Sequence, residues 1–178
     1  YNTCGGPHFG RATLARTGQE QPGRYEDLIG FMTDAGALAQ DLLSEGITGM
    51  KIWPFDYIAH EPGAWNNWRT FRGVFDPALR QIGGHTIDAA DLKRGLEPFL
   101  KIREAVGDQM DIMVEGHGLW SLPAAKKIAR ALEEYQPYWL EDLLRADDLD
   151  ALADLRRSTT TPILVSEHVR GLEQKASF

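Results

Sequence analysis

The sequence predicts an α/β fold in which parallel strands alternate with helices to form part of a barrel. Short apolar runs alternate with longer segments whose apolar residues recur every three or four positions, a pattern typical of strands followed by helices. Three of the apolar runs end in a glutamate, at equal spacing. The spacing leaves room for one helix between consecutive strands, which makes the strands parallel. We therefore expect a partial (β/α) barrel of the TIM type with about five strands.

The first half of the chain predicts a strand end over residues 1–5, a helix over 26–45 and a strand over 48–53. The apolar residues of the helix follow three- and four-residue steps, and Gly46 is suited to end it. Residues 54–87 are rich in aromatic residues and glycine and have no clear period, so we expect a long loop. Because this loop follows a strand, it should lie on the active-site face of the barrel.

The second half predicts three further βα repeats. Asp88 is a suitable N-cap for a helix that runs to about Val106, and Pro123 lies in the first turn of another. A last helix is predicted near 147–157. The strands are predicted over 109–115, 137–141 and 162–167. We therefore predict a single partial barrel domain over residues 1–178.

The composition excludes several classes of protein. Hydrophobic residues make up 43% and charged residues 25% of the 178 residues, as in soluble globular proteins. A net charge of −7 and a pI near 5.2 argue against nucleic acid or an anionic membrane as a partner. No apolar run reaches the roughly 20 residues of a membrane span. With Cys4 as the single cysteine, no internal disulfide can form, and we expect a cytoplasmic protein.

Glu115, Glu141 and Glu167 form the most informative pattern. Each follows an apolar run, at equal spacings of 26 residues (141 − 115 and 167 − 141). The carboxyl ends of barrel strands lie together on one face, where three carboxylates would repel one another unless a cation lay between them. One such glutamate is usually solvated or ion-paired, but three at equal spacing favour a metal site. Carboxylate oxygens suit Mg²⁺ better than Zn²⁺.

His117 lies two residues after Glu115 in the stretch DIMVEGHG. Side chains at positions i and i+2 of a strand point the same way, so we expect both residues to face one site. The alternative is a loop histidine with no role in chemistry.

Four stretches, GITGMKIWPFD, DIMVEGHG, YWLED and ILVSEH, together resemble the barrel domain of the enolase superfamily, in its mandelate racemase branch. The resemblance extends from Tyr1 to about Glu167. It implies that Glu115, Glu141 and Glu167 bind Mg²⁺, although the first ligand is more often aspartate in that family.

The acidic-x-His pattern resembles the sugar-acid dehydratases of this branch, such as galactonate dehydratase. This resemblance implies abstraction of the α-proton of an aldonate, stabilisation of the enediolate and elimination of the β-hydroxyl, with His117 as general acid. Lys51 would add positive charge at the site, or would pair structurally with one of the glutamates. Trp53 stands where racemase-like members carry a lysine base, so the base is expected to be a seventh-strand histidine outside this chain.

A complete barrel takes about 250 residues, and the family also carries an N-terminal capping domain. We therefore expect a fragment without the cap and the last strands, inactive alone, from a homo-oligomeric parent enzyme that acts on a small sugar acid. Two alternatives stay open. One is a racemase, epimerase or cycloisomerase of the same superfamily. The other is a non-catalytic remnant that binds Mg²⁺ or only partner subunits.

Overall fold

The computed structural model describes residues 1–5, 27–60, 84–167 and 169. Five strands form one parallel sheet whose order in space is the order along the chain. The strands are β1 (Asn2–Thr3), β2 (Gly49–Ile52), β3 (Asp111–Glu115), β4 (Trp139–Glu141) and β5 (Ile163–Leu164). This arrangement is part of a TIM-type barrel, and the predicted α/β fold with five parallel strands is confirmed.

Helices connect the strands. They are α1 (Asp27–Thr33), α2 (Ala35–Ser44), α3 (Pro54–His60), α4 (Ala89–Val106), α5 (Leu122–Leu132) and α6 (Leu149–Arg157). Their apolar faces pack into one core with the strands, as the periodicity predicted. On α5 this face consists of Ala125, Ile128, Ala129 and Leu132, none of which is exposed to solvent. None of the helices in the described ranges is long and apolar enough to span a membrane.

The predicted helix over 26–45 is two helices instead of one. Asp34 separates α1 from α2 because it takes a non-helical backbone conformation, with φ −143° and ψ 74°, and its carboxylate accepts a hydrogen bond from Ala37 N at 3.1 Å. An aspartate in this role satisfies a backbone N–H that the first turn of a helix leaves unpaired. The apolar period continues across the break, which is why the sequence pattern alone did not show it.

The segment 54–87, predicted as a loop, begins with α3. Pro54 is the first residue of α3, where proline favours a helix and costs no hydrogen bond. The rest of the predicted loop, from 61 to 83, lies outside the described residues. The predicted strand over 162–167 is also shorter than expected, since β5 ends at Leu164 and Glu167 lies in a turn three residues later.

Candidate active site

Three charged side chains meet at the carboxyl ends of β2, β3 and β4. Lys51 Nζ donates hydrogen bonds to Glu115 Oε2 at 2.8 Å and to Glu141 Oε2 at 2.9 Å. All three residues are buried, and Glu115 is only 1% exposed. The ammonium group of Lys51 thus bridges two carboxylates that would otherwise repel each other in the interior.

The strand register explains this meeting. Glu115 and Glu141 are paired neighbours on β3 and β4, and they are the last residues of their strands. Lys51 pairs with Met113 on β3. Because Met113 and Glu115 are two residues apart, Lys51 and both glutamates point to the same side of the sheet. The prediction that Glu115 and Glu141 end neighbouring strands is confirmed.

Burial and hydrogen bonding shift the ionisation of these groups in different directions. Burial raises the pKa of Glu115 to about 7, although the Lys51 and His117 cations act against this shift. For Glu141 burial also acts upward, but the hydrogen bonds from Ser166, Lys51 and Trp139 hold its pKa below the usual value. The two carboxylates raise the pKa of Lys51 further than burial lowers it, so its ammonium stays charged.

Asp142, which directly follows β4, is a buried acidic residue that the sequence analysis did not select. Its Oδ1 accepts a hydrogen bond from Ser166 N at 3.0 Å, and its Oδ2 accepts from Ser166 Oγ and from Glu167 N, both at 2.9 Å. Ser166 Oγ also lies 2.7 Å from Glu141 Oε1. The Asp142 carboxylate therefore fastens the turn that carries Glu167 to the end of β4.

Glu167, the third predicted metal ligand, lies at the same edge of the sheet with its side chain exposed. Its negative charge contributes to the raised pKa of His117. The three carboxylates whose oxygens lie within 4.8 Å of one another are instead those of Glu115, Glu141 and Asp142.

These buried acidic residues form a group able to bind a metal ion, and the donor set fits a hard divalent cation. Carboxylate oxygens are the ligands that Mg²⁺ and Ca²⁺ prefer.

His117 lies beside this cluster, but the backbone places it there by a turn and not by strand alternation. β3 ends at Glu115, and His117 has a left-handed backbone conformation with φ 46°, between two glycines. Gly116 allows this turn to approach β4, since a Cβ at that position would lie 2.9 Å from Leu143 Cδ2. The His117 backbone N–H donates to Glu115 Oε1 at 3.3 Å, so the two residues are in contact through the main chain of His117.

The imidazole of His117 contacts two residues that follow β2. Its Nδ1 lies 2.6 Å from Asp56 Oδ2, and Asp56 is completely buried. The ring of Trp53 meets the imidazole edge to face, with centroids 5.9 Å apart. Burial acts to lower the pKa of His117, but the charge and hydrogen bond of Asp56 raise it to about 9.

Asp56 is, after Asp142, the second functional candidate that sequence reasoning missed. A proline followed by an acidic residue within the first turn is a signal for a helix start, and it is present in WPFD. The signal would have placed Asp56 just beyond the end of β2, on the active-site face of the sheet. No sequence pattern indicated that it would contact His117, because 61 residues separate the two.

Residues 34–178 match the model of the family described as Enolase C-terminal domain-like. The chain belongs to this family. The Enolase C-terminal domain-like assignment confirms the resemblance to the enolase superfamily that the sequence motifs indicated.

Relatives of known name support the more specific resemblance to sugar-acid dehydratases. The chain is 40% identical to the D-xylonate dehydratase of Haloferax volcanii over 154 residues, which cover 83% of this chain and 34% of that protein. It is 26% identical to the D-gluconate/D-galactonate dehydratase of Picrophilus torridus over 178 residues, which cover 100% of this chain and 38% of that protein. These relatives are lyases, as expected for the parent family.

Solved structures give the same assignment. An enolase protein from Sargasso Sea environmental sequencing is 42% identical, with a TM-score of 0.65 over 81% of this chain and 34% of that one. An enolase of the mandelate racemase subgroup from Agrobacterium tumefaciens is 39% identical, with a TM-score of 0.65 over 84% of this chain and 38% of that one. The matched region covers 34–38% of the length of these four proteins.

Proposed function

We propose that the full-length protein containing this chain is a Mg²⁺-dependent sugar-acid dehydratase that acts on an aldonate. The observation that carries the proposal is the buried cluster of Lys51, Glu115 and Glu141 with His117 beside it, at one edge of a parallel sheet. This edge supplies a cation site, a further positive charge and a proton donor together. The names of the relatives support the substrate class.

In this proposal Glu115, Glu141 and Glu167 hold the Mg²⁺ ion. Asp142 already accepts three hydrogen bonds from the turn that carries Glu167, so we assign it the role of fixing that turn. When bound, Mg²⁺ supplies the positive charge that binds the substrate carboxylate and stabilises negative charge on it. Lys51 adds a second positive charge beside the carboxylate oxygens.

The reaction is a β-elimination in which His117 is the general acid. The bond between the α-carbon and its hydrogen breaks, and the proton passes to a base outside this chain. The bond from the β-carbon to its hydroxyl then breaks, and His117 gives that hydroxyl a proton so that it leaves as water. The enol that remains becomes a 2-keto-3-deoxy acid. Trp53, which packs against the imidazole, cannot serve as a base because its indole nitrogen is a donor only, and this disfavours a racemase that uses a lysine at that position.

The start of the segment 54–87 belongs to the same proposal as part of the substrate side of the barrel, because α3 brings Asp56 to His117. Residues 1–178 would be one portion of the barrel domain of a cytoplasmic homo-oligomer. The remaining strands, with the base, would come from the rest of the full-length protein.

The test is an assay of the full-length protein with D-gluconate, D-galactonate and D-xylonate, in the presence of Mg²⁺ and after its removal with EDTA. Formation of a 2-keto-3-deoxy acid from one of these substrates, only with Mg²⁺, is the expected result. The His117→Asn variant should lose dehydration by about 10²–10⁴-fold, the usual contribution of general acid catalysis. It should still exchange the substrate α-proton with solvent deuterium, which NMR detects without product formation.

His85→Asn is the matched control, because His85 is exposed and should retain full dehydration. Dehydration at the normal rate by His117→Asn would refute the acid role. Exchange or inversion at the α-carbon without elimination in the unmodified protein would identify a racemase or epimerase instead.

The ligand assignment is tested by titrating Mg²⁺ into glutamine variants in a calorimeter. Glu115→Gln, Glu141→Gln and Glu167→Gln should each weaken binding, whereas Glu134→Gln, on the exposed surface, should not. Unchanged binding by Glu167→Gln would remove that residue from the ligand set.

A further inference from the structure

Asp56 is a completely buried carboxylate that lies 2.6 Å from the imidazole of His117 and contacts it at Nδ1. We infer that Asp56 is a positioning residue of the active site, which holds the His117 ring so that Nε2 is the nitrogen that gives its proton to the leaving hydroxyl. The inference rests on the proposed role of His117 as general acid. It assigns a function to a residue that is neither a metal ligand nor at the end of a strand.

The structure fixes Asp56 firmly. Its helix, α3, begins directly after β2 and packs on α4 through Phe55, whose ring stacks on Phe99 with centroids 6.3 Å apart. The contact is so close that a Cβ on Gly95 of α4 would lie 2.2 Å from Phe55 Cε1. An adjacent residue of such a tightly packed helix has little freedom to move, so Asp56 presents its carboxylate to His117 in one place.

The other partner is fixed as well. The left-handed conformation of His117 and its backbone hydrogen bond to Glu115 set where the side chain leaves the main chain. The ring of Trp53 lies nearly perpendicular to the imidazole, at an interplanar angle of 86°, in an edge-to-face contact. With the backbone and the ring neighbour in place, the hydrogen bond to Asp56 determines that Nδ1 points toward α3 and that Nε2 lies on the other side of the ring.

The chemistry of this pair follows from its charge. An ionised carboxylate accepts a hydrogen bond from Nδ1–H, which fixes the tautomer and orientation of the ring and favours its protonated form. In this scheme Asp56 only accepts the hydrogen bond and takes no proton from His117. A proton held on Nδ1 leaves Nε2, on the opposite side of the ring, as the nitrogen that exchanges protons with the substrate.

A purely structural role, in which the pair only joins α3 to the turn after β3, predicts different behaviour. We propose to measure the Asp56→Asn variant of the full-length protein on two substrates. One is the aldonate on which the unmodified protein is active, and the other is its 3-deoxy-3-fluoro analogue. Hydroxide needs a proton in order to leave, whereas fluoride leaves with little or no help from one. Elimination from the analogue therefore depends much less on the general acid.

If Asp56 acts through His117, Asp56→Asn should lower kcat on the aldonate by about 10–100-fold, as when the carboxylate partner of a metal-bound histidine is removed. The KM and the affinity for Mg²⁺ should stay the same, and kcat on the fluoro analogue should fall by much less. The exchange of the α-proton with deuterium should be retained. Equal losses of kcat on both substrates would mean that Asp56 has a structural role and would overturn the inference.

Asp91→Asn is the matched control, because Asp91 is also a buried aspartate in an ion pair, with Arg94. It should leave the ratio of the two kcat values unchanged. His117→Asn, measured beside it, separates the two proposals. Loss of dehydration in His117→Asn without a loss in Asp56→Asn would refute the role of Asp56 only, whereas full dehydration in His117→Asn would refute the proposed function.

A spectroscopic measurement keeps the inference testable even where Asp56→Asn fails to fold. In the unmodified protein labelled with ¹⁵N-histidine, the His117 signal should be that of an imidazole whose Nδ1 carries a proton. A neutral ring with its proton on Nε2 alone would overturn the inference directly. Asp56→Glu should restore part of the activity lost in Asp56→Asn, since it returns the charge at a slightly shifted position.

Discussion

Replacing Lys51 with methionine should destabilise the protein strongly in the absence of Mg²⁺, and addition of Mg²⁺ should reverse much of the loss. The change removes the only described cation that bonds to both Glu115 and Glu141 while it keeps a flexible apolar side chain of similar length. Two carboxylates would then face each other inside the protein without a shared partner. A divalent cation bound to their oxygens supplies the missing charge.

The size of the effect follows from the contacts. Lys51 makes two charge-assisted hydrogen bonds, at 2.8 and 2.9 Å, and each such bond contributes about 1.5–3 kcal/mol. Breaking a buried ion pair by removing one partner costs about 3–5 kcal/mol, because the remaining charge is left without compensation. We therefore expect the free energy of unfolding to fall by about 3–5 kcal/mol without metal. Protonation of Glu115 limits the loss, so it should be smaller at pH 5.5 than at pH 8.

The assay is urea denaturation of the full-length protein, with EDTA and with saturating Mg²⁺. Lys126→Met is the control, since Lys126 bonds to Asp154 on the surface between α5 and α6, where an ion pair contributes about 0–1 kcal/mol. Binding of Mg²⁺ should persist in Lys51→Met while kcat falls, because in the proposed function the lysine charge acts on the substrate in the transition state. A loss below about 1 kcal/mol, or an equal loss with and without Mg²⁺, would refute this account of the cluster.

Three further predictions concern the same edge of the sheet and its support. Without metal, the free energy of unfolding should decrease as the pH rises from about 4.5 to about 7, because burial raises the Glu115 pKa and its ionised form is costly to bury. In urea denaturation, Glu115→Gln should remove this dependence of the free energy on pH. Gly95→Ala should cost about 1–3 kcal/mol of stability in the same assay, because its Cβ would meet the Phe55 ring at 2.2 Å. Asp142→Asn should lower the Mg²⁺ affinity about 10–100-fold by calorimetry, because the amide cannot accept the Ser166 and Glu167 hydrogen bonds as the carboxylate does.

The parts of this fold that the sequence predicted well are those with a strong apolar pattern. The helix after Asp88 repeats apolar residues along one buried face. The strands that end at Glu115 and Glu141 are short apolar runs, typical of parallel strands that are covered on both faces. The break at Asp34 was not predicted because the apolar period runs through it. The short α3 was not predicted either, because seven residues beginning with proline carry too little periodicity to distinguish a helix from a loop.

The residues of the candidate site also differ in whether a local sequence pattern could predict them. Glu115 and Glu141 were identified because each lies at the end of a strand, and strand ends in a parallel sheet converge whatever the loops do. Lys51 was identified through the family resemblance, and its register with Met113 brings it to the same edge. His117 was selected for a reason that does not apply, since the strand ends before it and a turn directs its backbone. Asp56 was missed because its partner comes from another βα unit, and contacts between side chains of different units depend on packing that no local pattern records.

The six residues from Lys51 to Asp56 connect the two halves of the proposed chemistry. At one end, Lys51 compensates the carboxylates of β3 and β4 that would hold the metal ion. At the other end, Trp53 and Asp56 contact the imidazole of His117, the proposed general acid. The strand sets the position of the lysine, and the helix that follows sets the position of the aspartate. The second βα unit would thus support metal ligands and a general acid that all lie on later units. This accounts for a lysine and a buried aspartate so close together where the chain leaves β2.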